Sequence, residues 1–230
     1  MARREFGHPI ALALFLLFLV RGDEFEAHNV GNAILWNREI SRIFYQRCVS
    51  CHRDDGTAFS LTDYRDVQPH VASIKDAVLS RRMPPWGAVK GFGDFKNDQG
   101  LSLEEIELIT DWVDSDAPRG NNPNSLPAVP KFQKPATFKL PKNAIEVRGS
   151  FSVKSGLRLD GLFAERVPTG GSIKIMAVLP DGYIEPLLWL YEYDPQVPHP
   201  FLFRKPLNLP AGTKIEGIPS NARVFLLQSK

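Results

Sequence analysis

The residues with the most specific chemistry lie in one five-residue segment, Cys48-Val49-Ser50-Cys51-His52, which contains the only two cysteines of the 230-residue chain. This C-x-x-C-H spacing is the attachment signature of c-type haem. One turn at the end of a helix places both sulfurs where they can add to the two vinyl groups of one porphyrin edge. The next residue can then ligate the iron through its imidazole. The segment therefore predicts one covalent haem c, attached through Cys48 and Cys51 and ligated by His52.

Three other uses of paired cysteines were weighed against haem attachment. A structural zinc site normally has four ligands, and the chain lacks a second Cys or His pair. A thioredoxin-type pair follows a strand and opens a helix, whereas this motif ends a predicted helical stretch at residues 38–47. A short-range disulfide is allowed in an exported protein, but it gives no reason for a histidine at the next position.

A second axial ligand is expected for such a haem, and Met83 is the predicted residue. It lies in the segment RRMPPW, residues 81–86, where proline breaks the preceding helix and holds an extended loop that can present the thioether. His70 is the alternative ligand, and a gap-filling core residue is the ordinary role of a methionine. Thioether ligation would raise the reduction potential relative to bis-histidine ligation.

The elements that must position these residues are predicted to be three amphipathic helices. The first covers residues 34–46 and leads into the motif, and the second covers residues 68–79. The third begins at a capping box formed by Ser102 and Glu105. Phe44 lies on the first of these helices and Trp112 on the third.

With these motifs, residues 34–120 resemble a monohaem class I-like cytochrome c domain, and more narrowly the bacterial "MPPW" cytochromes associated with copper type II ascorbate-dependent monooxygenases. The matching segments are CVSCH at 48–52, FSLTDY at 59–64, SRRMPPW at 80–86, LSLEEI at 101–106, WVD at 112–114 and AP at 117–118. The resemblance implies an all-α domain whose first and last helices cross beside the haem edge. Arg81 and Arg82 are either partners of the haem propionates or a solvated basic face. Trp86 either walls the haem or is simply buried.

The second half of the chain has a different pattern. Residues 119–141 are rich in proline and are predicted to form an extended linker. After them, alternating apolar residues predict an antiparallel β-sandwich at residues 142–230, with a hairpin turn at Asp181-Gly182. The predicted strands cover residues 144–152, 157–165, 172–179, 183–193, 201–207 and 223–227. The predicted fold is thus α + β and multidomain, with a small all-α cytochrome c domain at residues 30–118 followed by the sandwich.

With the segments MAVLPDG at 176–182, EPLLWL at 185–190 and LPAGT at 209–213, and with Pro206, residues 157–217 also resemble part of the C-terminal sandwich of those copper monooxygenases. On that alignment the family's histidine pair would fall at Glu165 and Val167, so its copper chemistry is not expected here. Met176 and His199 are the only imidazole or thioether side chains in residues 142–230, and copper needs more such ligands to be held firmly.

The N-terminal 22 residues are predicted to be a signal peptide. Arg3 and Arg4 form a positive n-region before a twelve-residue apolar stretch, residues 9–20. A bilayer span needs roughly 20 apolar residues, so the stretch fits a secretory segment better. A periplasmic or otherwise exported location follows, and membrane association is expected only if the segment stays uncleaved.

The charge balance excludes a nucleic-acid-binding function. The chain has 28 basic and 26 acidic residues, and residues 1–22 contain three of the basic and one of the acidic residues. Removal of that segment leaves 25 of each and a net charge of zero. No basic excess then remains to hold DNA, RNA or anionic lipid.

Two functions follow from these observations. The favoured one is an exported monohaem cytochrome that carries single electrons between redox partner proteins, with no catalytic residue and with the sandwich as a docking or scaffolding module. The alternative is an enzyme, a haem-fed monooxygenase or other oxidoreductase with a substrate site in the β-domain. A sensor or peroxidase would need an open sixth position at the iron.

Overall fold

The structure is a computed structural model that describes residues 33–132, 138–168 and 171–229. The predicted signal peptide, residues 1–22, lies outside these ranges. The compact unit Ile34–Lys230 contains every element discussed below. It combines helices with two antiparallel sheets, so the prediction of an α + β chain is confirmed at that level.

The helices of the described chain all precede the strands, and we call residues 34–126 the helical region. Its α-helices are α1 Ser41–Arg47, α2 Tyr64–Val67, α3 Val71–Leu79 and α4 Leu103–Asp114. A π-helical turn, Trp36–Ile40, leads into α1, and short 3₁₀ turns cover Gln68–His70 and Pro123–Ser125. The predicted capping box is present at α4: Ser102 Oγ accepts from the Glu105 amide at 3.0 Å, and Glu105 Oε2 accepts from the Ser102 amide at 2.6 Å.

The helical region is held together by an aromatic core. The predicted contact between the first and last helices is confirmed, because Phe44 meets Trp112 edge to face at a centroid distance of 6.4 Å. Trp36 contacts both rings, at 5.2 Å from Phe44 and 6.1 Å from Trp112. The Trp112 indole N–H donates to the Pro118 carbonyl at 3.0 Å, so its polar atom is satisfied inside the core.

The strands form two four-stranded sheets, and we call residues 145–228 the sheet region. The strands are β1 Ile145–Val147, β2 Phe151–Ser152, β3 Leu157–Arg166, β4 Ser172–Val178, β5 Ile184–Tyr191, β6 Pro200–Leu209, β7 Lys214–Glu216 and β8 Arg223–Gln228. One sheet has the order β1-β8-β3-β6 and the other the order β2-β7-β4-β5, with every pairing antiparallel. Buried side chains of both sheets form one core, as expected of a sandwich.

Each of the six predicted strand segments contains a strand, and the first contains two. The Asp181-Gly182 turn joins β4 to β5 as predicted, with Gly182 at a φ of +86° and its amide donating to the Leu179 carbonyl at 2.9 Å. The sequence analysis missed β7, because three residues are too short to show an alternating pattern.

One segment of the helical region, residues 86–97, pairs with both sheets, and we call it the bridging segment. At its start, the Val89 amide donates to the Trp189 carbonyl and the Tyr191 amide to the Gly87 carbonyl, both at 2.8 Å. These bonds extend the sheet beyond β5, which is an edge strand of that sheet. The bridging segment therefore satisfies backbone groups that an edge strand would otherwise leave unpaired.

The end of the bridging segment pairs with the other sheet in the same way. The Lys96 amide donates to the Leu202 carbonyl at 2.9 Å, and the Arg204 amide donates to the Asp94 carbonyl at 2.8 Å. These bonds extend the sheet beyond its edge strand β6. Trp86 and Phe95 are buried in the core of the sheet region, although they precede the predicted start of the sandwich at residue 142.

The first half of the proline-rich linker, residues 119–132, lies against the helical region. The Asn37 side-chain amide donates to the carbonyls of Gly120 and Asn122, both at 3.2 Å. Leu126 and Phe132 pack against the helical core. This half of the linker is therefore anchored to the helices along its length.

Candidate haem-attachment site

The C-x-x-C-H motif forms a tight turn directly after α1. The Cys48 amide donates to the Phe44 carbonyl at 2.8 Å, and the amides of Cys51 and His52 both donate to the Cys48 carbonyl at 3.0 Å. Val49 is fully buried and anchors the turn in the helical core. The turn therefore continues the helix end, which is the geometry that the sequence spacing predicts.

The two thiols differ in their surroundings, and neither forms a disulfide. Cys51 is exposed, whereas Cys48 is half-buried against the helical core. Burial, with a smaller contribution from the nearby Glu105 carboxylate, raises the pKa of the Cys48 thiol to about 12. Both sulfurs are thus available as thiols on one turn.

The loop after the motif is held by two residues that the sequence analysis did not identify. The buried Arg53 guanidinium donates to the Val49 carbonyl at 3.3 Å, to the Ser50 carbonyl and to Asp55 Oδ1 at 2.7 Å. A Cβ at Gly56 would lie 2.2 Å from the Cys51 carbonyl oxygen, so only glycine fits there. A charged residue after a motif and a single glycine are both common in proteins. The structural roles of Arg53 and Gly56 could therefore not be recognised in a single sequence.

His52 is oriented as a metal ligand would be. Its Nδ1 lies 3.0 Å from the Phe59 carbonyl oxygen, and the Phe59 ring meets the imidazole edge to face at 4.9 Å. A carbonyl oxygen accepts only, so the proton belongs on Nδ1 and the lone pair on Nε2. Burial lowers the pKa of the imidazole, which favours the neutral form that binds metals.

Met83 lines a cavity of about 520 Å³ between the helical region and the sheet region. Its side chain is 42% exposed, so it is not the gap-filling core methionine of the ordinary case. Leu101, Leu103 and Ile106 line the helical side of the cavity, and Trp189 and Tyr191 line the opposite side. The lining is therefore mostly apolar and contains a thioether.

The motif and the cavity lie at the same end of α4. Arg47, the last residue of α1, pairs through Nε with Glu105 Oε1 at 2.9 Å, and this ion pair joins the helix ends. Cys48 follows Arg47, and Ile106, which lines the cavity, follows Glu105. This ion pair therefore links the residue before Cys48 to the residue before Ile106, whereas Cys48, Cys51 and His52 are not among the residues that line the cavity.

Several large apolar side chains around this end of the helical region are exposed. Phe59 is 53% exposed and Leu103 is 66% exposed, and Leu79 is similarly open. Leu103 lines the cavity, whereas Phe59 and Leu79 are not among its lining residues. Two thiols and an imidazole on one turn, with a thioether in the cavity wall, are residue types that could hold a covalent haem.

The other candidates of the sequence analysis lie as follows. The His70 ring contacts Phe59 at 4.5 Å, so it belongs to the packing next to His52. Arg82 pairs with Asp76 at 2.7 Å, whereas Arg81 lines the cavity. Trp86 is buried in the sheet core, as one of its two interpretations expects, and it also lines the cavity.

The sheet region uses its candidate copper residues for other contacts. His199 Nδ1 lies 2.9 Å from the Val197 carbonyl oxygen and Nε2 lies 3.1 Å from the Trp86 carbonyl oxygen, and a neutral imidazole can donate to one of the two. Glu165 pairs with Arg223 at 2.7 Å, and Val167 is buried. Across the ranges that the structure describes, no three His, Cys, Asp or Glu side chains are grouped as a metal site.

Comparisons with known proteins give no relatives. No family model matches the chain, and no match is found among curated proteins or solved structures. In the described ranges, no helix is long and apolar enough to cross a membrane. The function is therefore argued from the residues themselves.

Proposed function

We propose that this protein is an exported monohaem c-type cytochrome that carries single electrons between redox partner proteins. The observation that supports this most directly is the pair of unbridged thiols on the turn after α1 that presents His52. The helical region would then be the cytochrome c domain, and the sheet region a sandwich attached to it. Bound haem would supply a one-electron iron couple.

Each of the chain's own residues has a defined task in this proposal. Cys48 and Cys51 tether the group, and His52 donates its Nε2 lone pair while Phe59 holds the imidazole through Nδ1. Met83 offers the second ligand, and a thioether at that position raises the reduction potential. The apolar side chains of the cavity limit the access of water. These groups would hold and shield a redox centre.

Export accords with the proposed chemistry. A covalently attached haem is assembled outside the cytoplasm, in the compartment to which the predicted signal peptide would deliver the chain. The enzyme alternative needs a substrate site in the sheet region. Backbone carbonyl oxygens lie within 3.1 Å of both His199 nitrogens, which argues against copper there.

Electron transfer without oxygenase activity is the expected result for the purified haem-loaded protein. Voltammetry should show one reversible one-electron couple, because one haem is expected per chain. After dialysis with added Cu²⁺, metal analysis should find no stoichiometric copper, and ascorbate should cause no oxygen consumption beyond a protein-free control. About one copper per chain that is lost in a His199→Ala variant, together with ascorbate-dependent oxygen uptake, would favour the enzyme instead.

A further inference from the structure

Trp86, three residues after Met83, is held by side chains of the sheet region. Its side chain is only 4% exposed. The His199 imidazole stacks on the indole at a centroid distance of 4.9 Å and an interplanar angle of 17°. Phe201 meets the same indole edge to face, also at 4.9 Å. The indole therefore lies in a rigid aromatic cluster of the sheet region.

His199 also binds the backbone of Trp86. Its Nε2 lies 3.1 Å from the Trp86 carbonyl oxygen, so an Nε2–H donates there in the tautomer that protonates this nitrogen. The Tyr193 ring meets the imidazole edge to face, at a centroid distance of 5.6 Å. One half-buried side chain thus packs on the ring of Trp86 and lies within hydrogen-bond distance of its carbonyl oxygen.

The residues between Met83 and Trp86 have few anchors of their own. Pro84 and Pro85 have no backbone N–H, so they cannot donate a hydrogen bond to either region. On the N-terminal side, the Met83 amide donates to the Ala77 carbonyl at 3.1 Å. Toward the C-terminus, the next firm attachment is Trp86, followed by the paired backbone of Gly87 and Val89.

We propose that the sheet region is the positioning element for Met83, and that His199 is the positioning residue that holds Trp86 in place. Pro84 and Pro85 make the connection between Met83 and Trp86 short and stiff, so the position of Trp86 restricts the position of the Met83 thioether. The inference rests on the proposed function, since Met83 there serves as an axial ligand. The sheet region would therefore control how firmly that ligand is held.

The test uses the full-length haem-loaded protein and exogenous imidazole, which competes with a distal ligand. In His199→Ala, Trp86 loses a stacked ring and a hydrogen bond, so Met83 should be held less firmly. Imidazole should then bind about tenfold more tightly to the ferric protein. His199→Phe keeps an aromatic ring at that position and should restore part of the wild-type value.

The matched control is Phe151→Ala in β2, which also removes a ring packed against the sheet core. β2 and β5 are the two edge strands of one sheet. Phe151→Ala therefore weakens the sheet that contains β5 without removing a group that holds Trp86. Phe151→Ala should leave the imidazole affinity unchanged. An equal rise in both variants would mean that general destabilisation is the cause, and the inference would fail.

A second readout does not depend on haem. In the haem-free chain, amide hydrogen exchange at Val89 should be faster in His199→Ala than in wild type or Phe151→Ala, because the bridging segment is less firmly held. Unchanged exchange and unchanged imidazole affinity would overturn the inference and leave the proposed function intact. A wild type that never attaches haem would overturn the proposed function, while the exchange experiment would still decide whether His199 holds the segment.

Discussion

Replacement of both Cys48 and Cys51 with alanine is expected to give a chain that loses all of its haem in acidified acetone, whereas the wild type keeps its haem. The two thiols are unbridged on one turn, so both can form thioether bonds to one porphyrin. Without them, His52 and Met83 could hold the group only by coordination, which acid removes. The measurement is the absorbance of the protein pellet and the supernatant after extraction.

Ser50→Ala is the matched control, because this residue lies between the two cysteines and its structural contact with Arg53 uses its backbone carbonyl. The control should retain haem as the wild type does. Complete extraction of haem from the wild type, after maturation in a host with c-type haem assembly, would show that no covalent bond forms.

Met83→Ala is expected to remove the weak long-wavelength absorption of ferric haem that thioether ligation produces, and to lower the reduction potential. The physical reason is that a thioether favours the reduced iron relative to the ligands that would replace it. The change deletes a side chain that is already 42% exposed, so the helical core should remain folded. Absorption spectra and redox titration measure both effects.

Met176→Ala makes the same chemical change in β4 and should leave the spectrum and potential unaffected. The opposite pattern would remove Met83 from the site. A wild-type spectrum typical of two histidine ligands that disappears in His70→Ala would instead identify the alternative ligand. That result would require His70 to move from its contact with Phe59.

The local features of this fold could be predicted because each depends on residue types within a few positions of one another in the sequence. The capping box at Ser102 and Glu105 and the Asp181-Gly182 hairpin follow from short-range patterns of polarity, whereas the contact of Phe44 with Trp112 is an expectation of the resemblance to cytochromes c. The same holds for the C-x-x-C-H turn, since its geometry follows from the end of α1.

The features that could not be predicted depend on residues far apart in the chain. Asn97 bonds the carbonyl of Pro200 across a separation of 103 residues, and His199 stacks on Trp86 across 113. No periodicity within the bridging segment indicates that its partners are two sheet edges. The segment looks like a loop in sequence because its hydrogen bonds are made with strands that come much later.

The bridging segment changes the role that the sheet region would have in an electron carrier. The sequence analysis treats the sandwich as a docking or scaffolding module joined by a proline-rich linker. In the structure, Trp86 and Phe95 are part of the core of the sheet region, and both come shortly after Met83 in the chain. A fragment that starts at residue 142 would lack these side chains, so the full chain is the proper material for every test above.

The absorption spectrum of the purified wild type, recorded oxidised and reduced and again in alkaline pyridine, tests the central claim most directly. The protein should be produced with its N-terminal segment in a host that assembles c-type haem. The proposal predicts one haem per chain, with the pyridine spectrum of a haem whose two vinyl groups are saturated by thioether bonds. A protein that is colourless, or whose pyridine spectrum is that of haem with intact vinyl groups, would contradict it.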